Sequence, residues 1–207
     1  MTWRIKGIRI LAFVIALFTI YGCTIKITRP EKEVKLPEYI YHSPENKDYA
    51  QASVALFRFS APNFSSEITM VSSPDIGYAA AYRLHQELMQ KKVFLKLIPA
   101  YDFGYLDLTR AIEIAKEKGC DLLITGKVLY YFEGGPLSES RVDEEIIVID
   151  VRTEKPVWYA EAIEIGKPID YQDYIFIIID GVPAPPASSL LISNAKKFGN
   201  MIAESIT

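Results

Sequence analysis

Few residues in this sequence are of kinds that do chemistry, and their spacing limits what they can do. It holds two histidines, His42 and His85, and two cysteines, Cys23 and Cys120. A zinc site draws three or four such ligands from short, recurring spacings. No such set occurs, so no metal site is expected. His85 falls one position past Leu84, at the edge of an apolar helical stripe, where a solvated or hydrogen-bonded ring is expected. Asp143, Glu144 and Glu145 run together beside Arg141. Paired carboxylates can serve acid–base catalysis or hold calcium, but at a hairpin edge such a run reads as a solvated face. Ser138 and Ser140 lack a histidine in sequence context to activate them. Gly134-Gly135 leads into proline, not into the Lys-Ser/Thr pair of a phosphate loop. Without convergent acid, base, nucleophile or ligands, no catalytic residue and no cofactor is assigned, and an enzyme is not expected. Cys120 opens the apolar run Leu122-Leu123-Ile124 and reads as a small buried hydrophobe. A reactive thiol would need exposure and a cationic neighbour.

Cys23 is a different case. Arg4, Lys6 and Arg9 precede an uncharged apolar stretch from Ile10 to Ile20. That length fits the core of a signal peptide and falls short of the roughly 20 residues that span a bilayer. Ile20-Tyr21-Gly22-Cys23 resembles a bacterial lipobox, with Tyr21 where a small or β-branched residue is usual. The resemblance implies removal of residues 1–22 and attachment of palmitate-type lipid at Cys23, on the periplasmic side of a membrane. Thr24 follows rather than Asp, which by the sorting rules of such proteins implies the outer membrane. The alternative is an uncleaved N-terminal anchor.

Once that leader is removed, the 23 Lys and Arg residues fall to 20 against 26 Asp and Glu, a net charge of −6. A surface that neutralises phosphates must be basic, so nucleic acid is excluded as a partner. The remaining length and a 50% hydrophobic content suit a single folded domain. Residues 23–52, broken by Pro30, Pro37 and Pro44 and carrying alternating charges, read as a lipidated N-terminus and tether. Tyr39, Tyr41 and His42 read as a lead-in to the first strand.

Residues 53–207 read as one α/β domain. Ser53–Ser60 alternates as a strand. Ser73 at the N-cap, Pro74 at the first helical position and Asp75 in the first turn start a helix. Its stripe of Gly77, Ala80, Ala81, Leu84 and Leu88 runs from small to large, which lets the helix approach a sheet closely. Val93–Ile98 is the second strand. Asp107 caps a second helix with Leu108, Ala111, Ile112 and Ala115 on its inner face, and Gly119 stops it. Asp121–Phe132 is a central strand. Glu144–Arg152 and Val157–Ile165 follow as strands, and a helix from Ser188 to Ile206 closes the chain. The order is β-α-β-α-β-β-β-α, with a mixed sheet: parallel where helices join strands, antiparallel in the later hairpins.

Three segments carry a family resemblance. Val54-Ala55-Leu56-Phe57-Arg58-Phe59 resembles a first strand in which Arg58 stands where proline is frequent. Gly119-Cys120-Asp121-Leu122-Leu123-Ile124-Thr125-Gly126 is similar to a "Gly-Ala-Asp, apolar, Thr-Gly" strand. Asp150-Val151-Arg152-Thr153-Glu154-Lys155-Pro156-Val157-Trp158 is similar to an "Asp-x-x-Thr-Gly" hairpin, with Lys155 where glycine is common. Together they resemble the periplasmic lipoprotein superfamily that contains the curli secretion channel CsgG, the penicillin-binding-protein activator LpoB and the N-terminal domain of TolB. The motifs are structural, and the resemblance implies a fold and a compartment more than a task.

One segment remains. Tyr174, Ile175, Phe176, Ile177, Ile178 and Ile179 are wholly apolar and bracketed by Asp173 and Asp180. Length and β-branching favour a strand that completes the sheet. The alternative is a loop tip that enters a membrane or packs on another subunit, which makes these six residues the candidate partner or membrane contact. Channel-forming relatives carry two long amphipathic hairpins, and this chain has room for one short insert. The expectation is a non-enzymatic, lipid-anchored periplasmic protein that acts in envelope assembly, secretion or regulation. Its partner is another envelope protein or itself, as a homo-oligomer. An activator of a peptidoglycan synthase, and a hydrolase or small-ligand-binding lipoprotein, are the alternatives.

Overall fold

The computed structural model describes residues 32–34, 40–42, 49–62, 73–174 and 177–206. The leader and Cys23 lie outside them, as do Ile175 and Phe176. Nine strands and three helices are placed: β1 (Lys32–Val34), β2 (Ile40–His42), β3 (Ser53–Phe57), α1 (Ser73–Lys91), β4 (Lys96–Ala100), α2 (Leu108–Glu117), β5 (Leu122–Phe132), β6 (Ser140–Asp150), β7 (Lys155–Gly166), β8 (Gln172–Tyr174), β9 (Ile177–Ile179) and α3 (Ala187–Ile206). The main sheet runs β1-β7-β6-β5-β3-β4, with β2 also on β7. β3 is parallel to β4 and β5, and β5, β6 and β7 are antiparallel neighbours, as the connections require. The expected mixed α/β sheet and its element order hold for the domain.

Strand alternation divides the core in two. Val54 and Leu56 of β3 join Leu122, Ile124, Ile146, Val148 and Trp158 beneath α1 and α3. Ala55 and Phe57 join Leu123, Ile149 and the inner face of α2, Ala111, Ile112 and Ala115. The small-to-large stripe of α1 does what its taper suggests. A Cβ added at Gly77 would lie 2.1 Å from the Phe59 carbonyl oxygen, and the Phe59 N–H donates to the Gly77 carbonyl at 3.3 Å.

The signpost motifs turn out to be joints. Asp107 caps α2 by accepting from the Arg110 N–H at 3.0 Å. Gly119 ends that connection in the left-handed region, with φ +65°, where a residue without Cβ is unstrained. Asp121 then clamps the start of β3, its carboxylate accepting from the Ser53 N–H at 2.8 Å. Gly126 leaves room for the Phe59 ring, which an added Cβ would meet at 2.8 Å. Asp150 accepts from the Arg152 and Thr153 amides at 3.0 and 2.8 Å, which folds the β6–β7 turn. The left-handed residue of that turn is Glu154, at φ +59°, and not the neighbouring Lys155.

Other boundaries move. β4 begins at Lys96 rather than Val93, because Val93 and Phe94 are buried in the turn out of α1. β6 begins at Ser140 and ends at Asp150, ahead of the expected Glu144–Arg152. Two pieces of the 23–52 stretch join the sheet: Lys32 pairs with Gly166, and Ile40 with Ala160, along the otherwise open side of β7. At the other side, among the described residues, the sheet ends on β4, which carries Pro99. The 174–179 segment is not one strand that completes the sheet. Among the described residues β8 and β9 pair only with each other, within their own two-stranded sheet, Tyr174 opposite Ile177. Reciprocal 2.9 Å bonds between Ile169 and Val182 close the base of this hairpin.

Cys120 is buried, and burial pushes its thiol up despite the nearby Lys96 and Lys118. A raised thiol holds little thiolate and is hard to reach. Native protein is therefore expected to react with a water-soluble maleimide many times more slowly than denatured protein. Equal rates would show an accessible thiol.

Candidate functional site

α2 is 10 residues long, whereas β5, β6 and β7 have 11, 11 and 12. It covers the β3 side of its face, and among the described residues no helix lies over the upper half of β5–β7. Two rows of side chains lie there. The first is Lys127, Glu145 and Glu161; the second is Thr125, Ile147 and Tyr159, each row in direct cross-strand register. Beside them opens a cleft of about 690 Å³ among the described residues, walled by Phe59, Pro62, Tyr105, Leu106, Leu108 and Ile147. It sits past the carboxyl end of β3, where sheets with parallel strands commonly bind.

The polar floor of this cleft is tied up in itself. The Tyr159 hydroxyl contacts both Glu161 and Glu145, the latter at 3.1 Å. Burial first, then these carboxylates, push the phenol far above its ordinary range, so Tyr159 is a fixed hydrogen-bond donor and not a nucleophile. Arg58, a lining residue, is also committed. Its Nε donates to the Tyr101 carbonyl at 2.9 Å, and its guanidinium lies 5.3 Å from the centre of the Tyr78 ring. A proline in its place could make neither contact. His85 packs on Tyr101, Nδ1 3.5 Å from the hydroxyl, and burial lowers its pKa. Among the described residues no group of three or more His, Cys, Asp or Glu side chains could hold a metal ion. The arrangement offers a shaped, amphipathic surface.

The acidic run is not a solvated face. Arg141 engages Asp143 through two bonds of 2.8 and 2.6 Å, and Glu145 lies in the cleft row. Glu144 points the opposite way and is only 3% exposed. Burial raises its carboxyl to about 8, against a hydrogen bond from Asn194 that lowers it. Nearby Glu164, also buried, has Lys197 at 3.0 Å. The signal for Glu144 was present in the sequence, because it falls in the alternating series Val142, Glu144, Ile146, Val148. The same parity would have found the Tyr159 row, which reading for catalytic types missed. Of the expected contact residues, Tyr174 ends β8 and Ile177, Ile178 and Ile179 form β9, away from the cleft floor.

No family model and no curated protein matches the sequence. Among solved structures, the dodecamer of PelC from Paraburkholderia phytofirmans matches with a TM-score of 0.53 at 17% identity, covering 84% of this chain and 98% of that one. The chain is similar in fold to PelC. Lipoprotein GNA1162 from Neisseria meningitidis aligns at TM-score 0.42 and 15% identity over 74% of this chain and 99% of that one. The LpoB C-terminal domain from Escherichia coli aligns at 0.32 and 11% identity over 55% and 83%. These last two likenesses are too distant to carry an argument. At such identities the PelC match establishes the fold alone. No helix among the described residues is long and apolar enough to cross a membrane.

Proposed function

We propose that the protein is a lipid-anchored, non-enzymatic component of the bacterial envelope that works by assembling with further copies of itself. The observation that carries this reading is the upper half of β5–β7, over which no helix lies among the described residues, with its largely apolar cleft. A sheet face of this kind is normally packed. Here Tyr105 and Leu108 stand exposed beside it, while Tyr159 is held by Glu145 and Glu161. The surface thus combines exposed apolar walls with polar groups, the mixture found in association surfaces. PelC, which has the same fold, crystallised as a dodecamer. The leader and Cys23 motif support delivery to the envelope and retention there.

Replacing Tyr105 and Leu108 together by Glu should convert a cross-linked oligomer, extracted from membranes, into monomer. Both side chains are exposed and Leu108 starts a helix, where an acid is favourable. The melting midpoint should therefore stay within a few degrees of the parent. A parent protein that is monomeric in membranes would overturn self-assembly. An oligomer indifferent to the two acids would remove this face from it.

A further inference from the structure

We infer that the end of the molecule bearing the β8–β9 hairpin is a second, apolar contact with the lipid bilayer, which stands the domain upright on its anchor. The inference rests on the lipidated Cys23 of the reading above and adds to it a surface. β1 starts at Lys32, and Lys32 pairs with Gly166, the last residue of β7. Cys23 lies nine residues earlier in the sequence. Nine residues reach at most about 30 Å, and the tether enters the sheet at the end where β7 finishes. The hairpin closes at Ile169, three residues beyond Gly166. The tether's point of entry and the hairpin therefore share an end.

That end also shows apolar side chains in firmly held places. β5 and β7 run parallel, each antiparallel to β6, so the β5–β6 loop lies at the same end. Its Leu137 is 92% exposed, and Tyr171 on the hairpin arm is 57% exposed. The loop is held by the Ala184 N–H, which donates to the Gly135 carbonyl at 3.1 Å. Glu133 accepts from the Ala187 N–H at 2.7 Å, at the start of α3. A rigid loop that presents a leucine to water gains from any apolar phase that covers it.

Charge says which lipid property is read. Asp170, Asp173 and Asp180 flank the apolar hexad, with Lys167 nearby. Attraction to anionic headgroups is excluded, and apolar insertion remains as the driving force. Leu137 and Tyr171 are the described side chains that would enter.

The test uses the mature lipidated protein with Cys120→Ser, reconstituted in vesicles of zwitterionic phosphatidylcholine that carry nitroxide-labelled acyl chains. A fluorophore is attached at Leu137→Cys, at Ile178→Cys, or at Leu95→Cys. Leu95 is 71% exposed and precedes β4, at the opposite end of the sheet. Quenching at 137 and 178 should exceed that at 95 several-fold and should not change when phosphatidylglycerol or salt is added. Equal quenching at all three would overturn the inference. So would quenching that appears only with anionic lipid and vanishes in salt. Leu137→Cys alone is decisive if Ile178→Cys does not fold, since so exposed a side chain adds nothing to the core. Cross-linking on the same vesicles keeps the two readings apart. Assembly without quenching overturns only the lipid contact; quenching without assembly overturns only self-association.

Discussion

Glu144→Gln is expected to raise the melting midpoint by several degrees above pH 8 and to leave it nearly unchanged below pH 4.5. The unfolded chain releases the Glu144 proton near 4.5, whereas burial holds it in the folded chain until about 8. Between those values the unfolded state binds fewer protons, so stability falls as pH rises across the window and is spared below it. One pH unit of displacement corresponds to about 1.4 kcal/mol, which makes up to about 5 kcal/mol available over the whole window. Glutamine keeps the shape, has no proton to lose, and can both donate to and accept from Asn194. Oε2 of Glu144 and Oδ1 of Asn194 have no other hydrogen-bond partner among the described residues; a neutral Glu144 can bridge them with its proton, and glutamine can do so at every pH. Thermal unfolding across this range reads the effect. A variant whose midpoint keeps the parent's slope with pH would show that Glu144 ionises as freely inside the fold as outside it.

Gly77→Ala should destabilise the domain by about 3 kcal/mol, against the usual gain of up to about 1 kcal/mol for this change inside a helix. The new methyl would sit 2.1 Å from the Phe59 oxygen and 3.1 Å from its carbon, both backbone atoms that no rotamer change can move aside. Helix α1 would have to lift, and that loosens the bond from the Phe59 N–H to the Gly77 carbonyl together with the packing of Ala80, Ala81 and Leu84. Urea unfolding measures the loss directly. An unchanged or higher midpoint would show that the helix sits farther from the sheet than these distances state.

Local rules carried most of the fold. The Asp107 cap, the Gly119 stop, the taper of α1 and the parallel-then-antiparallel sheet all depend on residues within one or two turns of each other, so short windows of sequence reveal them. What stayed hidden depends on partners far along the chain. β1 and β2 exist because β7 has a free side, and nothing between Pro30 and Pro44 announces that distant strand. The hexad looked like one strand because composition reports β-propensity and not direction; the reversal between Tyr174 and Ile177 has no glycine or proline to mark it. Glu144 was misjudged because a run of three acids was weighed by charge, when strand parity places alternate members on opposite faces. The Tyr159 cluster was invisible for a related reason. Its members, Lys127, Glu145, Tyr159 and Glu161, come from three strands, and only the register brings them into rows.

Pro99 on β4 has a consequence for how copies of this chain meet before they are fully folded. Proline supplies no backbone donor, and the outermost strand of one side of the sheet therefore cannot be copied by an incoming strand without a gap. The opposite side ends in β1 and β2, only three residues each, too short to template a long ladder. A chain that, on the reading proposed above, emerges unfolded beside many identical neighbours crowded on a two-dimensional surface risks growing into cross-β fibres faster than it folds. With both flanks of the sheet blunted, that route is closed at its first step. Collisions between nascent copies are left to sort themselves through faces that exist only after the core has set.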